Sequence, residues 1–336
     1  VFTQIAKPHI DNTATIAATF VAAQPFPHIV LDHFLDSDYA DALHQSFPAF
    51  ERGNAMGDDG KLGAKSTNDR ICQLGIPYAA LDELIQSRAF LTWLGDATRM
   101  QNFLYNPYYL GGGTHDNRHG MSLNAHIDFN LHPSERWHRR LNLIIYLNHD
   151  WQDEWGGALE LFKNPHDNTT ADIRITPVFN RCVIFETGEH SWHGFDAINL
   201  PAAFADHSRK SIALYFYSSE RPVNEIAPKH TTIYVQRQLA PEIKAGHTLT
   251  ADVSEISALI AARDAHIRSQ YDENTRLLQA QEHGLTGQLL YLAKRAFVRL
   301  RQQPKRALII KTSYSTGVLS KICLKVTANR QVSLNY

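Results

Sequence analysis

Ser122-Leu123-Asn124-Ala125-His126-Ile127-Asp128-Phe129 sets apolar residues at every second position and polar ones between them. Side chains two apart on a β-strand point to the same face, so a strand here places His126 and Asp128 side by side and turns Ile127 away. One imidazole and one carboxylate can then reach a single metal ion. A third ligand has to come from a strand distant in sequence and adjacent in space, and the run 181–193, ending in His193, offers one. Two imidazoles and one carboxylate on one face of a metal leave three positions open, the donor set associated with non-heme iron(II).

Outward from this run the apolar pattern continues as short alternating or continuous segments separated by turn residues, which marks an all-β unit. Strands are expected at 122–129, 141–147, 158–162, 173–175, 182–185, 191–195 and 211–217. Gly111-Gly112-Gly113 and Gly156-Gly157 supply turns or close backbone approaches. Seven short strands within roughly 120 residues predict a mainly β fold, a double-stranded β-helix or jelly roll of the cupin type.

Upstream, 25–31 reads as a short strand and 36–47 as an amphipathic helix capped by Asp36 or Ser37. Residues 52–69 read as a polar, Gly-rich loop, and 81–97 as a second helix. Residues 1–24, rich in Ala and Thr, read as a helix or a loose arm. Strand signals stop after Tyr217. The 251–281 segment reads as one long helix whose Val253, Ile256, Ile260, Ile267 and Leu277 outline a heptad seam interrupted by Arg263, Gln270 and Asn274. Such a seam offers a homodimer contact. The expected plan is an arm at 1–24, a jelly-roll domain with N-terminal supporting helices at 25–222, a linker at 223–250 and an α-helical, basic C-terminal extension at 251–336.

Composition narrows the class. No stretch approaches the roughly 18 apolar residues of a membrane span, and the first twelve residues lack the basic-then-apolar layout of a secretory signal. Cys72, Cys182 and Cys323 are too few and too scattered for a disulfide framework or a zinc knuckle. A cytoplasmic setting, which keeps iron ferrous, is the expectation. The formal net charge of -1 hides an asymmetry: 284–336 holds ten Lys or Arg and no Asp or Glu, leaving 23 basic against 34 acidic residues elsewhere. That block, with Lys294, Arg295, Arg299 and Arg301 on a helix at 289–301, predicts an anionic partner: a membrane surface that the protein meets peripherally, a nucleic acid, an acidic polysaccharide or the protein's own acidic body. A solvated face on a small helical appendage is the plainer reading.

The chain has 18 histidines, so chance pairs near a carboxylate have to be weighed. A lone His on a strand is usually structural. His126 stands apart through Asp128, the 181–193 run and the later alternating strand that begins near Arg209. His132, His138, His149, His166 and His190 sit in polar or turn-like contexts where exposure is the simplest explanation, and His190 is the rival of His193 for the distal ligand.

Six pieces in order then carry a resemblance over about three-fifths of the chain. They are His126-Ile127-Asp128-Phe129, Arg140-Leu141-Asn142-Leu143-Ile144-Ile145-Tyr146-Leu147-Asn148, Trp155-Gly156-Gly157-Ala158-Leu159-Glu160-Leu161, Phe179-Asn180-Arg181-Cys182-Val183-Ile184-Phe185, His193-Gly194-Phe195 and Arg209-Lys210-Ser211-Ile212-Ala213-Leu214-Tyr215. The region 25–222 resembles the 2-oxoglutarate- and Fe(II)-dependent oxygenases of the prolyl 4-hydroxylase-like superfamily. The resemblance implies that His126, Asp128 and His193 ligate Fe(II), and that Arg209, with the Tyr146 hydroxyl, binds the distal carboxylate of 2-oxoglutarate. The Arg181-to-His193 spacing equals that of the hypoxia-sensing prolyl hydroxylases, which favours His193 over His190. Between His193 and Arg209 the chain is longer than in those enzymes, which leaves Lys210 as the rival of Arg209; strand alternation lets one of the two face the barrel interior. Asn124, on the face of His126, is expected either to reach cosubstrate or substrate or to make a structural hydrogen bond.

The implied reaction couples oxidative decarboxylation of 2-oxoglutarate by dioxygen to oxidation of a substrate C–H bond. Related halogenases replace the carboxylate ligand with a small residue, so the intact Asp128 points to hydroxylation. The substrate is left open among peptidyl proline, an amino acid, a small metabolite and a saccharide. Loops at 106–117, 129–139 and 198–208 are the expected determinants, with Tyr105, Tyr108, Tyr109, Trp137 and Trp151 either lining the mouth or filling the core. Two other classes compete: a non-catalytic or structural-metal jelly-roll binding module, for a glycan or another ligand, and a Zn or Mn cupin with hydrolase or isomerase chemistry.

Overall fold

The computed structural model describes residues 3–51, 65–167 and 170–235, together with scattered positions between 263 and 296. Two antiparallel sheets face each other. The elements in order are α1 (Lys7–Asp11), α2 (Thr13–Ala22), β1 (His28–Leu31), α3 (Ser37–Gln45), β2 (Lys65–Asn68), α4 (Ile76–Gln86) and α5 (Arg88–Thr98). They continue as β3 (Gly113–Asn117), β4 (Leu123–Ile127), β5 (His138–Tyr146), β6 (Leu159–Phe162), β7 (Ile173–Ile175), β8 (Cys182–Glu186), β9 (Trp192–Phe195), β10 (Arg209–Ser218) and β11 (Ile233–Tyr234). The larger sheet runs β1-β8-β5-β10-β3-β2 and the smaller runs β11-β4-β9-β6-β7. From β3 to β10 the strands alternate between the two sheets in the double-stranded β-helix pattern except at the β6–β7 hairpin, with β3, β5, β8 and β10 in one and β4, β6, β7 and β9 in the other.

Alternation along the strands builds two cores. On β5, Leu141, Leu143 and Ile145 point outward into a cluster with the helices, where they meet Phe20, Phe34 and Leu94. The opposite face of the same sheet sends Tyr146, Val183 and Phe185 between the sheets to meet Leu159 and Leu161 of β6. The helices thus stiffen one sheet from behind and leave its other face for the interior. The N-terminal segment is part of this arrangement: Ile5 before α1 and Ile16 and Phe20 of α2 are buried in the helix-side core, with Ile10 of α1 packed against it, so residues 3–24 are packed rather than loose.

Helix boundaries follow local chemistry. Asp36 caps α3 by accepting the Tyr39 amide. The expected single helix at 81–97 is two helices beginning earlier, at Ile76. Ser87 leaves helical geometry (φ -65°, ψ 138°), ends α4 and caps α5 by accepting the Phe90 amide at 3.2 Å. Three strands lie outside the sequence expectation. β2 falls in the stretch read as loop, β3 in the Gly-rich stretch read as turn, and β11 beyond the point where strand signals stop. β2 and β3 are short and polar and β11 is only two residues long, and they owe their strand state to pairing with β3, β10 and β4 respectively.

The described positions between 263 and 296 are helical, and Arg295 pairs with Glu135 of the body at 3.1 Å. Most of the expected 251–281 seam and of the basic block 284–336 lies outside the described residues, as does Cys323. Cys72 and Cys182 are free thiols. Among the described residues no helix is long and apolar enough to cross a membrane.

Candidate active site

β4 and β9 are neighbours in the smaller sheet, and His126 lies directly across from His193 in their register. Gly194 makes this possible: a Cβ there would stand 2.5 Å from the Leu123 carbonyl oxygen, where the β4–β9 register shifts. Asp128 follows just beyond the end of β4. Ligand atoms of all three side chains lie within 4.8 Å of one another. His126 Nε2 is 3.9 Å from Asp128 Oδ1, and His193 Nε2 is 3.5 Å from Asp128 Oδ2.

The donor atoms are presented in the form a metal needs. Each imidazole turns Nδ1 to a main-chain carbonyl at 2.9 Å, Asn124 for His126 and Ser191 for His193. A donated Nδ1–H leaves the Nε2 lone pair for the metal. Burial, with His193 alongside, pushes His126 down to about 3, and burial lowers His193 as well. Burial alone would raise Asp128, but the Arg139 guanidinium and the two imidazoles override it and bring the carboxyl down to about 2. Neutral imidazoles and an ionised carboxylate are thus in place at neutral pH, which suits a divalent cation.

The triad stands in the wall of a cavity of about 240 Å³. β10 decides which basic residue shares it. Ile212, Leu214 and Phe216 enter the helix-side core, while Arg209, Ser211, Ala213 and Tyr215 line the cavity. Lys210 has the parity of the outward set, and its Nζ donates to Ser208 Oγ at 2.8 Å. Of these two, Arg209 is therefore the one that faces the cavity. Its Nε donates to the Gly157 carbonyl at 2.6 Å, its Nη2 to the Tyr146 hydroxyl at 3.3 Å, and it lies 4.4 Å from the centre of the Phe195 ring. Gly157 sits at φ +71°, and a Cβ there would come within 3.0 Å of Arg209 Cδ. Arg209 is only 4% exposed, and among the described residues no carboxylate pairs with it. Asp196 acts on it through space, but its hydrogen bonds go to neutral groups; a buried guanidinium so held favours an anionic ligand, and a carboxylate matches its planar fork. Iron and 2-oxoglutarate therefore both fit the residues present.

Other sequence candidates fall into place. Asn124 acts through its main-chain carbonyl on His126, and its side chain is not among the cavity-lining groups. His190 is exposed and stands apart from the triad. His132, expected to be exposed, is instead buried, and its Nδ1 accepts the Ser134 and Glu135 amides of a tight turn. The aromatic side chains at the cavity are Phe129, Phe195, Tyr215 and Tyr234, whereas Tyr105, Tyr108, Tyr109, Trp137 and Trp151 do not line it.

Sequence reading missed three contributors. Arg139 and Asn142 reach Asp128: Arg139 Nη2 lies 3.0 Å and Asn142 Nδ2 2.8 Å from Oδ2. Strict alternation along β5 would send Arg139 outward with Leu141. The register shift opposite Phe216 and Tyr217 leaves Arg140 without a partner and returns Arg139 to the inner face with Asn142. The third contributor is the segment 230–235. β11 pairs with β4, the Tyr234 ring centre is 5.1 Å from that of His126, and Thr232 and Tyr234 line the cavity. His230 Nε2 meets Glu189 Oε1 at 2.9 Å and fastens this segment.

Residues 112–217 match the model of a family described as the 2OG-Fe(II) oxygenase superfamily. This run belongs to that superfamily. The matched residues take in all eight strands from β3 to β10 except Ser218, the last residue of β10. Over 270 residues the chain is 22% identical to prolyl 3-hydroxylase OGFOD1 of Mus musculus, covering 76% of this chain and 43% of that protein. The chain thus spans less than half the length of this curated relative. Among solved structures it is similar to a prolyl hydroxylase of Trichoplax adhaerens in complex with a hypoxia inducible factor peptide (14% identity, TM-score 0.45, 63% of this chain and 94% of that one). It is also similar to a prolyl-4-hydroxylase of Pseudomonas putida (19% identity, TM-score 0.37, 61% and 99%). A third is HygX of Streptomyces hygroscopicus with nickel and 2-oxoglutarate bound (9% identity, TM-score 0.41, 63% and 92%).

Proposed function

We propose that the chain is a 2-oxoglutarate-dependent Fe(II) dioxygenase that hydroxylates a C–H bond of a prolyl residue. The observation that carries the reading is one cavity walled by a His126–Asp128–His193 donor set and by Arg209, a buried cation whose hydrogen bonds go to the neutral Gly157 carbonyl and Tyr146 hydroxyl. Iron bound there, with 2-oxoglutarate and dioxygen, supplies oxidation of a C–H bond coupled to decarboxylation of the keto acid to succinate.

The chain's own residues do the positioning. His126, Asp128 and His193 hold the metal from one side and leave the cavity side for ligands. Arg209 and the Tyr146 hydroxyl receive the distal carboxylate of 2-oxoglutarate, which directs its keto-acid end towards the triad. Phe195 and Leu159 exclude water from that path. The remaining wall, with Phe129, Tyr215, Thr232 and Tyr234, receives the substrate. The intact carboxylate at Asp128 supports hydroxylation, and the similarity to a protein named prolyl 3-hydroxylase supports proline as the first substrate to test.

Succinate release from 2-oxoglutarate, measured with Fe(II) and proline-containing peptides, tests the proposal. Metal-dependent succinate with a matching mass gain of one oxygen on peptide is expected. Succinate formed without proline oxidation redirects the substrate assignment; no turnover with any substrate pool and no anaerobic 2-oxoglutarate binding overturns the enzyme reading.

A further inference from the structure

Arg139 is a fully buried arginine, and nothing in the proposed chemistry has yet used it. Its guanidinium is fixed on three sides. Nε and Nη2 reach Asn142 Oδ1 at 3.0 and 2.8 Å, Nη2 also reaches Asp128 Oδ2 at 3.0 Å, and the group lies 3.6 Å from the centre of the Tyr215 ring. Asn142 completes a closed loop by donating Nδ2 to the same Asp128 Oδ2 at 2.8 Å. Both donors converge on one carboxylate oxygen.

A carboxylate can bind a metal through one oxygen or two. With two imidazoles already bound, a two-oxygen Asp128 would leave two of six positions, too few for a keto acid that chelates through two oxygens and for dioxygen as well. An oxygen that already accepts two hydrogen bonds, one of them charge-assisted, is a poor second ligand. We infer that Arg139 and Asn142 form a clamp that restricts Asp128 to one metal-binding oxygen and so keeps a further coordination position open once 2-oxoglutarate is bound. Arg139 is thus a positioning residue that acts through Asp128. The inference rests on the Fe(II) and 2-oxoglutarate reading of the cavity.

The clamp is distinct from ordinary buried packing in what it protects. A guanidinium needed only to fill space beside Tyr215 would, once replaced by a chain of similar length, alter stability and leave ligand binding intact. Removing a positive charge beside the site would by simple electrostatics strengthen cation binding. Loss of the clamp predicts a different combination: metal and keto acid retained, and the last coordination position closed.

The experiment compares wild type with Arg139→Met, which keeps the unbranched chain without its donors, and with Arg139→Lys, which keeps the charge but not the fork. Binding of nitric oxide, a stand-in for dioxygen, to the Fe(II)- and 2-oxoglutarate-loaded protein is measured for each under anaerobic conditions, together with 2-oxoglutarate affinity and Tm. The expected result is 2-oxoglutarate affinity close to wild type and nitric oxide binding clearly weakened in both variants. Unchanged nitric oxide binding in either folded variant overturns the clamp. A crystal structure of Mn(II)-loaded wild type supplies a readout without mutation, needed if the variants fail to fold: one Asp128 oxygen on the metal with Oδ2 still on Arg139 supports the inference, and two oxygens on the metal overturns it. If wild type binds neither Mn(II) nor 2-oxoglutarate, the parent reading fails, which is distinguishable from failure of the clamp alone.

Discussion

At the residue scale, the site depends on a few side chains whose surroundings leave them one job. Arg209 has neutral hydrogen-bond partners from Gly157 and Tyr146 and an aromatic ring against it, so its charge is oriented but not neutralised. Truncating one member of a buried hydrogen-bonded charge pair costs about 2–5 kcal/mol. Arg209→Ala is therefore expected to weaken 2-oxoglutarate binding by at least roughly 30-fold, while Lys210→Ala leaves it within a few-fold of wild type. Equal losses in the two variants, read by calorimetry on metal-loaded protein, would remove Arg209 from the cosubstrate site. Gly157→Ala puts a methyl group 3.0 Å from Arg209 Cδ at a left-handed backbone position. It is expected to destabilise the fold by about 1–3 kcal/mol and to raise the KM for 2-oxoglutarate, with metal affinity unchanged. A normal KM would show that Arg209 tolerates displacement.

At the element scale, the strands that carry chemistry were legible because they alternate. His126 and Asp128 announce themselves two apart, and β10 turns Arg209 inward once its outward set, Ile212, Leu214 and Phe216, is recognised. Arg139 was hidden by the same rule: one unpaired residue, Arg140, reverses the parity of everything before it, and no side chain in the sequence marks that shift. β2, β3 and β11 were hidden for another reason. Lys65–Asn68, Gly113–Asn117 and Ile233–Tyr234 are too short or too polar to signal a strand, and they are strands because a neighbour offers hydrogen bonds.

β11 also carries a pH prediction. Burial would lower His230, but its hydrogen bond to Glu189 outweighs this and raises it above the usual histidine value of 6.5. A raised folded value means that the pair stabilises the segment fully below the unfolded histidine range and loses that contribution as pH rises through the folded value. Amide exchange at 230–235, corrected for intrinsic rates, is expected to accelerate between neutral and mildly alkaline pH in wild type and to lose that extra dependence in Glu189→Gln. Identical profiles would show that the ion pair does not fasten the segment. Elsewhere, Ser87→Ala removes the cap between α4 and α5 and is expected to cost about 0.5–2 kcal/mol of stability without changing 2-oxoglutarate affinity.

At the scale of the whole molecule, one sheet is shared between two cores, so support and site are coupled through it. Phe20 of α2 is buried against the same sheet whose other face presents Asn142 and Tyr146. Phe20→Ala is expected to cost about 3–5 kcal/mol, visible as a lower Tm of the entire oxygenase domain rather than as fraying of the first helices. The jelly roll itself was readable from seven strand signals in order, because turn residues separate them and the period is short. The N-terminal segment was not, because Ala- and Thr-rich helices carry little amphipathic contrast and reveal their buried face only once α5 and β1 are present.

The central claim is that His126, Asp128, His193 and Arg209 form one iron and 2-oxoglutarate site. Its most direct measurement is the visible absorption of Fe(II)-loaded protein titrated anaerobically with 2-oxoglutarate, for wild type, His193→Ala and Arg209→Ala. A metal-to-ligand charge-transfer band that saturates in wild type, is lost in His193→Ala and needs far more 2-oxoglutarate in Arg209→Ala is the predicted result. No band in wild type, or the same band at the same 2-oxoglutarate concentration in all three proteins, would contradict the account.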